Sequence, residues 1–141
     1  MRVAINGAGI AGPTLAYWLR RFGHQPVLFE RSPSPRTGGL DIRPMREQLQ
    51  GRFISLPRTD LAGALLSACR DVPTHFGVSI VGIDQDGEGV TATLSDRRQE
   101  RFDLVVGADG LYSQVRELAF GRAARFETPL GCHVAAFRMP G

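Results

Sequence analysis

The sequence predicts an α/β protein in which a parallel sheet opens with a βαβ unit and carries an added β-meander. Three observations predict this. Between Met1 and Glu30 an apolar strand pattern, a glycine-rich turn, a helical pattern and a second apolar strand pattern follow in order. Between Val78 and Leu94 apolar and polar residues alternate around Asp/Gly-rich turns. A third apolar run, Phe102-Asp-Leu-Val-Val-Gly107, closes on Ala108-Asp109-Gly110.

Arg2-Val-Ala-Ile-Asn6 is short and rich in β-branched residues, and it ends in Gly7, Gly9 and Gly12. Leu15, Ala16, Trp18, Leu19 and Phe22 then recur at helical spacing up to Gly23, a C-cap candidate. Tyr17 and Trp18 read as packing residues of that helix. Pro26-Val-Leu-Phe-Glu30 is apolar nearly throughout, as a parallel strand covered on both faces should be. Ser32 to Gly39, with its Pro and Gly residues, reads as a loop. A short helix is expected around Met45 to Gln50. Leu61, Ala64, Leu65 and Ala68 fit one face of a helix over Thr59 to Cys69, with Asp60 near its N-terminus and Pro73 beyond its end. The meander is expected as Val78 to Ile83, a turn over Asp84 to Gly89, Val90 to Leu94, and a polar turn over Ser95 to Gln99. Ser113 to Phe120 reads as a last helix with Val115 and Leu118 inward.

At 141 residues, 43% of them hydrophobic, the chain is the size of one domain with a real core. The net charge of +3 comes without a dense basic run, so nucleic-acid binding is not expected. Cys69 and Cys132 have no metal-ligand spacing and read as reduced thiols, which points to a cytoplasmic protein. No secretory signal pattern opens the chain, and no apolar run approaches the ~18 residues needed to span a bilayer. His24, His75 and His133 stand apart with no nucleophile in a recognisable setting, so no catalytic side chain is assigned.

The glycine series carries the chemistry. A strand that passes into a helix through Gly7-Ala-Gly-Ile-Ala-Gly12 leaves unpaired N–H groups and a partial positive charge at the helix start, where a pyrophosphate can settle. Gly7 permits the tight turn, Gly9 lets the backbone approach the phosphates, and Gly12 lets the helix pack on the strand; Ile10 and Ala11 lie between them at the helix start. Pro13 suits the first turn, where an N–H is not needed. Glu30 ends the second strand where a carboxylate can accept hydrogen bonds from a ribose. The pattern is that of a Rossmann-like βαβ dinucleotide-binding fold, and it specifies ADP without choosing between nicotinamide and flavin.

Gly7 to Arg31, Gly38-Gly-Leu-Asp-Ile-Arg43, Leu56-Pro-Arg-Thr-Asp-Leu61 and Asp103 to Arg116 resemble, in order, motifs of the class A flavoprotein monooxygenases, which include the FAD-dependent aromatic hydroxylases and tetracycline-inactivating enzymes. The resemblance implies FAD as cofactor and NAD(P)H, hence NADPH or NADH, as reductant. It implies that Arg31 packs near the adenosine, that Arg43 and Arg58 lie close to the cofactor, and that Asp109 and Gly110 bind FAD. Each has a plainer reading: Arg31 as a solvated charge, Arg43 and Arg58 paired with the nearby Asp41 and Asp60, and Asp109-Gly110 as an ordinary turn. Tyr112 follows that turn without an assigned role.

By this resemblance residues 1–141 form a single FAD-binding domain, shortened around 43–53 and ending where the family's substrate domain begins. The family's later Gly-Asp element does not occur, so the chain on its own is not expected to hydroxylate a substrate efficiently. The chemistry belongs largely to the cofactor, and the protein supplies position and exclusion of water. The reading is therefore an FAD-binding oxidoreductase resembling part of a monooxygenase that acts on an aromatic or polyketide-like small molecule. The alternative is a non-catalytic nucleotide-binding or partner-docking module, with a second copy or a complementing chain as partner. A nicotinamide-dependent dehydrogenase leaves the Asp103 to Arg116 motif unexplained.

Overall fold

A computed structural model describes residues 1–35, 57–128 and 130–131. Strand β1 (Arg2–Asn6) leads into helix α1 (Ala11–Arg21), strand β2 (Gln25–Glu30), helix α2 (Arg58–Ala68) and strand β3 (Thr74–Phe76). Strands β4 (Ile80–Asp86), β5 (Gly89–Leu94) and β6 (Gln99–Phe102) follow, then strand β7 (Leu104–Gly107), helix α3 (Gln114–Phe120) and a 3-10 turn at Ala123–Arg125. The larger sheet is parallel, in the order β3-β2-β1-β7, and the smaller is the antiparallel meander β4-β5-β6.

The period-2 geometry of β1 and β2 explains why both are apolar throughout. Ala4, Val27 and Phe29 point to the meander and pack with Ile80, Ala92, Leu94 and Phe102. Val3, Ile5 and Leu28 point the other way, against Ala16 of α1 and against Cys69 and Val72 beyond α2. The molecule therefore has three layers, with the parallel sheet in the middle. Phe29 and Phe102 meet edge to face at 6.1 Å, and the Arg2 guanidinium lies 4.3 Å from the Phe102 ring centre. Helix α1 ends as expected at Gly23 (φ +78): its N–H donates to Arg20 O, and the His24 N–H to Leu19 O, satisfying carbonyls that the helix leaves open.

Several expected details differ. The run 102–107 is not one strand. Phe102 ends β6, Asp103 bends, and β7 begins at Leu104, because the chain crosses there from the meander to the edge of the parallel sheet. Asp103 is held to β1 at the crossing, its carboxylate accepting from the Arg2 N–H and its own N–H donating to Arg2 O. Strand β6 starts at Gln99, inside the expected end of the polar turn, and only Phe102 of its four residues is fully buried. Strand β4 begins at Ile80, not Val78, and runs through the expected turn to Asp86, leaving Gly87-Glu88 as the hairpin tip. The Asp86 carboxylate caps that tip, accepting from the N–H groups of Glu88 (2.8 Å) and Gly89 (3.0 Å). Strand β3 had no counterpart in the sequence pattern; it is three residues long.

Inward faces also shift. In α2, Leu61 and Leu65 are half-buried but Ala64 and Ala68 are exposed, since the helix covers only the margin of the sheet. In α3 Val115 is buried and Leu118 is not. On α1, Trp18 and Phe22 are exposed and stack on each other at 6.1 Å instead of entering the core. The expected helix at 45–50, Arg43, Cys132 and His133 lie outside the described residues. Among the described residues no helix is long and apolar enough to cross a membrane.

Candidate functional site

Because the strands of the larger sheet are parallel, the ends of β1, β2, β3 and β7 open on the same edge, where α/β folds place ligands. A cleft of ≈ 1050 Å³ lies there. Its floor is the turn after β1, and its sides are the end of β2, the first turns of α2 and the segment after β7.

The turn is built by close backbone approach. Gly7 has φ +112, and a Cβ there would fall 2.4 Å from Ala108 O. Its N–H donates to Phe29 O at 2.7 Å. Gly12 lies beneath the turn, where a Cβ would fall 1.9 Å from Gly7 O. Gly9 differs from both: a Cβ there would meet no atom of the described residues within 4 Å, and Gly9 lines the cleft. Helix α1 then opens at Ile10 with no side-chain cap and no acidic residue in its first turn. Pro13 occupies that turn, and Thr14 returns both its N–H and its hydroxyl to Ile10 O. The opening N–H groups of α1 have no intrahelical acceptor, and Ile10 and Ala11 line the cleft with them.

Two carboxylates flank this positive end. Glu30, at the end of β2, accepts from the Ala8 N–H (2.8 Å) through Oε2 and from the Ser32 N–H (2.9 Å) through Oε1, which fixes its orientation toward the cleft. Asp109 Oδ2 accepts from Asn6 Nδ2 (3.0 Å) and from the N–H groups of Gln114 (2.8 Å) and Val115 (3.2 Å), while the Ser113 hydroxyl donates to Oδ1. Partial burial pushes the Asp109 carboxyl upward, but the bonds from Ser113, Val115 and Asn6 outweigh it and hold the group below its usual range. Ser113 completes the start of α3 as its N-cap, accepting from the Arg116 N–H at 3.0 Å.

Gly7, Gly9, Ile10, Ala11, Glu30, Arg31, Arg58, Asp109 and Gly110 all line this one cleft. Arg31 and Arg58 are exposed along its rim. Gly12 supports it from below. Arg43 cannot be placed, being outside the described residues. Tyr112 lines the cleft with 84% of its surface exposed. Sequence reasoning missed Asn6, which also lines the cleft, and Thr59, Asp60 and Gly63 on α2. The signal for Asn6 was an amide at the end of an otherwise apolar strand; nothing in the helical pattern marked the α2 residues.

Residues 40–129 match the FAD binding domain family. A flavin-dependent monooxygenase from an unknown prokaryotic organism is 33% identical, over 99% of this chain and 47% of its own length. One from Legionella longbeachae is 32% identical with the same coverage. The chain thus spans about half the length of the curated relatives it matches. The alignment with the first runs over 183 residues, more than the 141 of this chain, so the relative carries additional residues within the matched stretch. Among solved structures, the tetracycline destructase Tet(51) superposes with a TM-score of 0.71 at 34% identity, over 84% of this chain and 41% of that one. The 2,6-dihydroxypyridine-3-hydroxylase of Arthrobacter nicotinovorans gives 0.70 at 25% identity, over 86% and 40%.

Proposed function

Because the chain belongs to the FAD binding domain family, we propose that its cleft takes the ADP half of FAD, with the pyrophosphate against the turn at residues 7–12 and a ribose beside Glu30. The observation that carries this reading is Gly9. Protein packing forbids a side chain at Gly7 and Gly12, but nothing among the described residues forbids one at Gly9. Gly9 lines the cleft beside the open N–H groups of α1, which is where phosphate oxygens need close backbone approach.

The remaining residues fit the same ligand. The two exposed arginines, Arg31 and Arg58, supply positive charge at the rim for phosphates. Asp109 and Gly110 shape the far side by their backbone, because the Asp109 carboxylate is engaged in holding α3 and Asn6. Bound FAD would supply the redox chemistry; the chain binds and orients it. For the whole protein we propose an FAD-dependent monooxygenase reduced by NAD(P)H and acting on an aromatic or polyketide-like small molecule in the cytoplasm. Relatives named as flavin-dependent monooxygenases support this over a non-catalytic module.

Titration of the purified chain with FAD, followed by flavin fluorescence and then by displacement with ADP, tests the proposal. Saturable binding reversed by ADP is expected. Absence of binding by both ligands would refute it, and FAD binding indifferent to ADP would refute the placement of the ADP half.

A further inference from the structure

Asn6 is 4% exposed, and its amide is bonded at both ends to other elements. Oδ1 accepts from the Ile80 N–H at 3.0 Å, at the start of β4, and Nδ2 donates to Asp109 Oδ2 at 3.0 Å. Its backbone oxygen accepts from the Ala108 N–H at 2.8 Å. One residue thus joins the parallel sheet, the meander and the segment leading into α3. That segment forms one side of the cleft, and the turn directly after Asn6 forms the floor. The two are in backbone contact: a Cβ on Gly7 would lie 2.6 Å from the Ala108 carbonyl carbon and 2.9 Å from Asp109 Cα. With no slack between them, a shift of Asp109 is passed directly to the glycine turn.

We propose that Asn6 is the positioning residue of the cleft: by holding Asp109 and Ile80 it sets the glycine turn against residues 108–110, and nucleotide affinity depends on that spacing. This rests on the cleft being the FAD site. Asn6 acts through Asp109 and through the backbone of Gly7 and Ala108. The Asp109 carboxylate has three N–H donors on Oδ2, and only the one from Asn6 belongs to the strand that carries the glycine turn. Removing it leaves Asp109 tied to that strand only through its backbone neighbour Ala108 and the contact with Gly7.

Asn6→Ala removes both side-chain bonds. Asn6→Asp keeps the acceptor for Ile80 and, at a pH high enough that the two facing carboxyls do not share a proton, replaces the donor with a charge that repels Asp109. Phe102→Leu, in the core away from the cleft, serves as a control for lost stability. The expected result is that each Asn6 variant, measured while folded, binds ADP and FAD about tenfold or more weakly, within the usual range for coupling between a ligand site and a change made outside it. The control should bind within about twofold of wild type. Without ligand, hydrogen exchange at the bonded amides of Gly7, Ala8, Gln114 and Val115 should accelerate in both Asn6 variants and not in the control.

Wild-type affinity in either folded Asn6 variant, or an equal loss in the control, would overturn the inference. Should Asn6→Ala not fold, Asn6→Asp carries the comparison. If the wild-type chain binds neither ADP nor FAD, the functional reading fails, and exchange still judges Asn6: unchanged protection at Gly7, Ala8, Gln114 and Val115 sinks the positioning role by itself.

Discussion

Replacing Gly9 by alanine should separate folding from binding. Gly9 does not have a left-handed φ, and a Cβ there meets no atom of the described residues within 4 Å, so alanine fits this backbone without strain. Its effect on stability is then confined to the unfolded chain, which loses freedom, and the folded state should be unchanged or more stable by up to about 1 kcal/mol. In the complex the methyl group stands where a phosphate oxygen must approach the turn. Losing one hydrogen bond to a charged group removes about 1.5–3 kcal/mol, or roughly ten- to hundredfold in affinity. The neighbouring glycines should behave oppositely. Gly12→Ala puts a Cβ 1.9 Å from Gly7 O, and Gly7→Ala combines φ +112 with a 2.4 Å approach to Ala108 O, so both should unfold the domain before binding can be judged. Thermal melting and calorimetric titration with ADP on the same samples measure both effects. A Gly9→Ala protein that binds ADP like wild type would refute the placement of the pyrophosphate; one that melts far below wild type would refute the account of the turn.

Three further predictions address the frame around the cleft. Phe102→Ala should cost about 3–5 kcal/mol in urea unfolding, because Phe102 is 2% exposed and joins Phe29 to the meander; a cost below about 1 kcal/mol would mean that the two sheets do not share a core. Asp109 is depressed in the folded state, so its contribution is fully present above the ordinary value of 3.8 and disappears as pH falls through the lower folded value. Wild type should therefore lose more stability than Asp109→Asn over that acid range, and parallel stability curves would contradict it. Cys69 is 2% exposed, its thiol donates to Pro13 O at 3.1 Å, and burial, reinforced by Asp71, pushes its pKa up. Alkylation followed by peptide mass analysis should label Cys69 only in denaturant; rapid labelling of the native protein would show that the face packed on α1 opens.

The layers were legible because burial imposes a period. Val3, Ile5 and Leu28 had to face one side and Ala4, Val27 and Phe29 the other, so two runs without polar residues announced a sheet covered on both faces. The same logic hid β6: Gln99 and Arg101 face solvent, Glu100 shares the inner face with Phe102 but pairs with Arg2 at its margin, and Phe102 alone signals the strand. It hid β3 as well, since three half-buried residues leave no period to read. Trp18 and Phe22 misled in the opposite direction: helical spacing places them on one face, but spacing cannot say that this face points to solvent. The cleft was legible where chemistry demands particular backbone, at Gly7, Gly9 and Gly12, and where an acid ends a strand at Glu30. Gly63 reaches the cleft only through the packing of α2 on the sheet, and no local pattern encodes that; Thr59 and Asp60 fall inside the Leu56 to Leu61 motif, in which Arg58 alone carried a role.

Asp109 illustrates what a motif can and cannot specify. The sequence marked Asp109-Gly110 as a ligand contact at the end of a strand. The structure puts both residues in the cleft, yet turns the Asp109 carboxylate inward, onto Asn6, Ser113 and the first N–H groups of α3. These two facts are compatible. A segment that offers its backbone to a nucleotide must be held from behind, and a carboxylate accepting several protein donors holds it more firmly than a side chain pointing at the ligand could. The cost of losing such a residue would then appear as lost affinity without any lost ligand contact. On the proposed reading of the cleft, Asp109 and Asn6 form one functional unit with Gly9: the first two fix the distance across the cleft, and the glycine leaves that distance open to a phosphate.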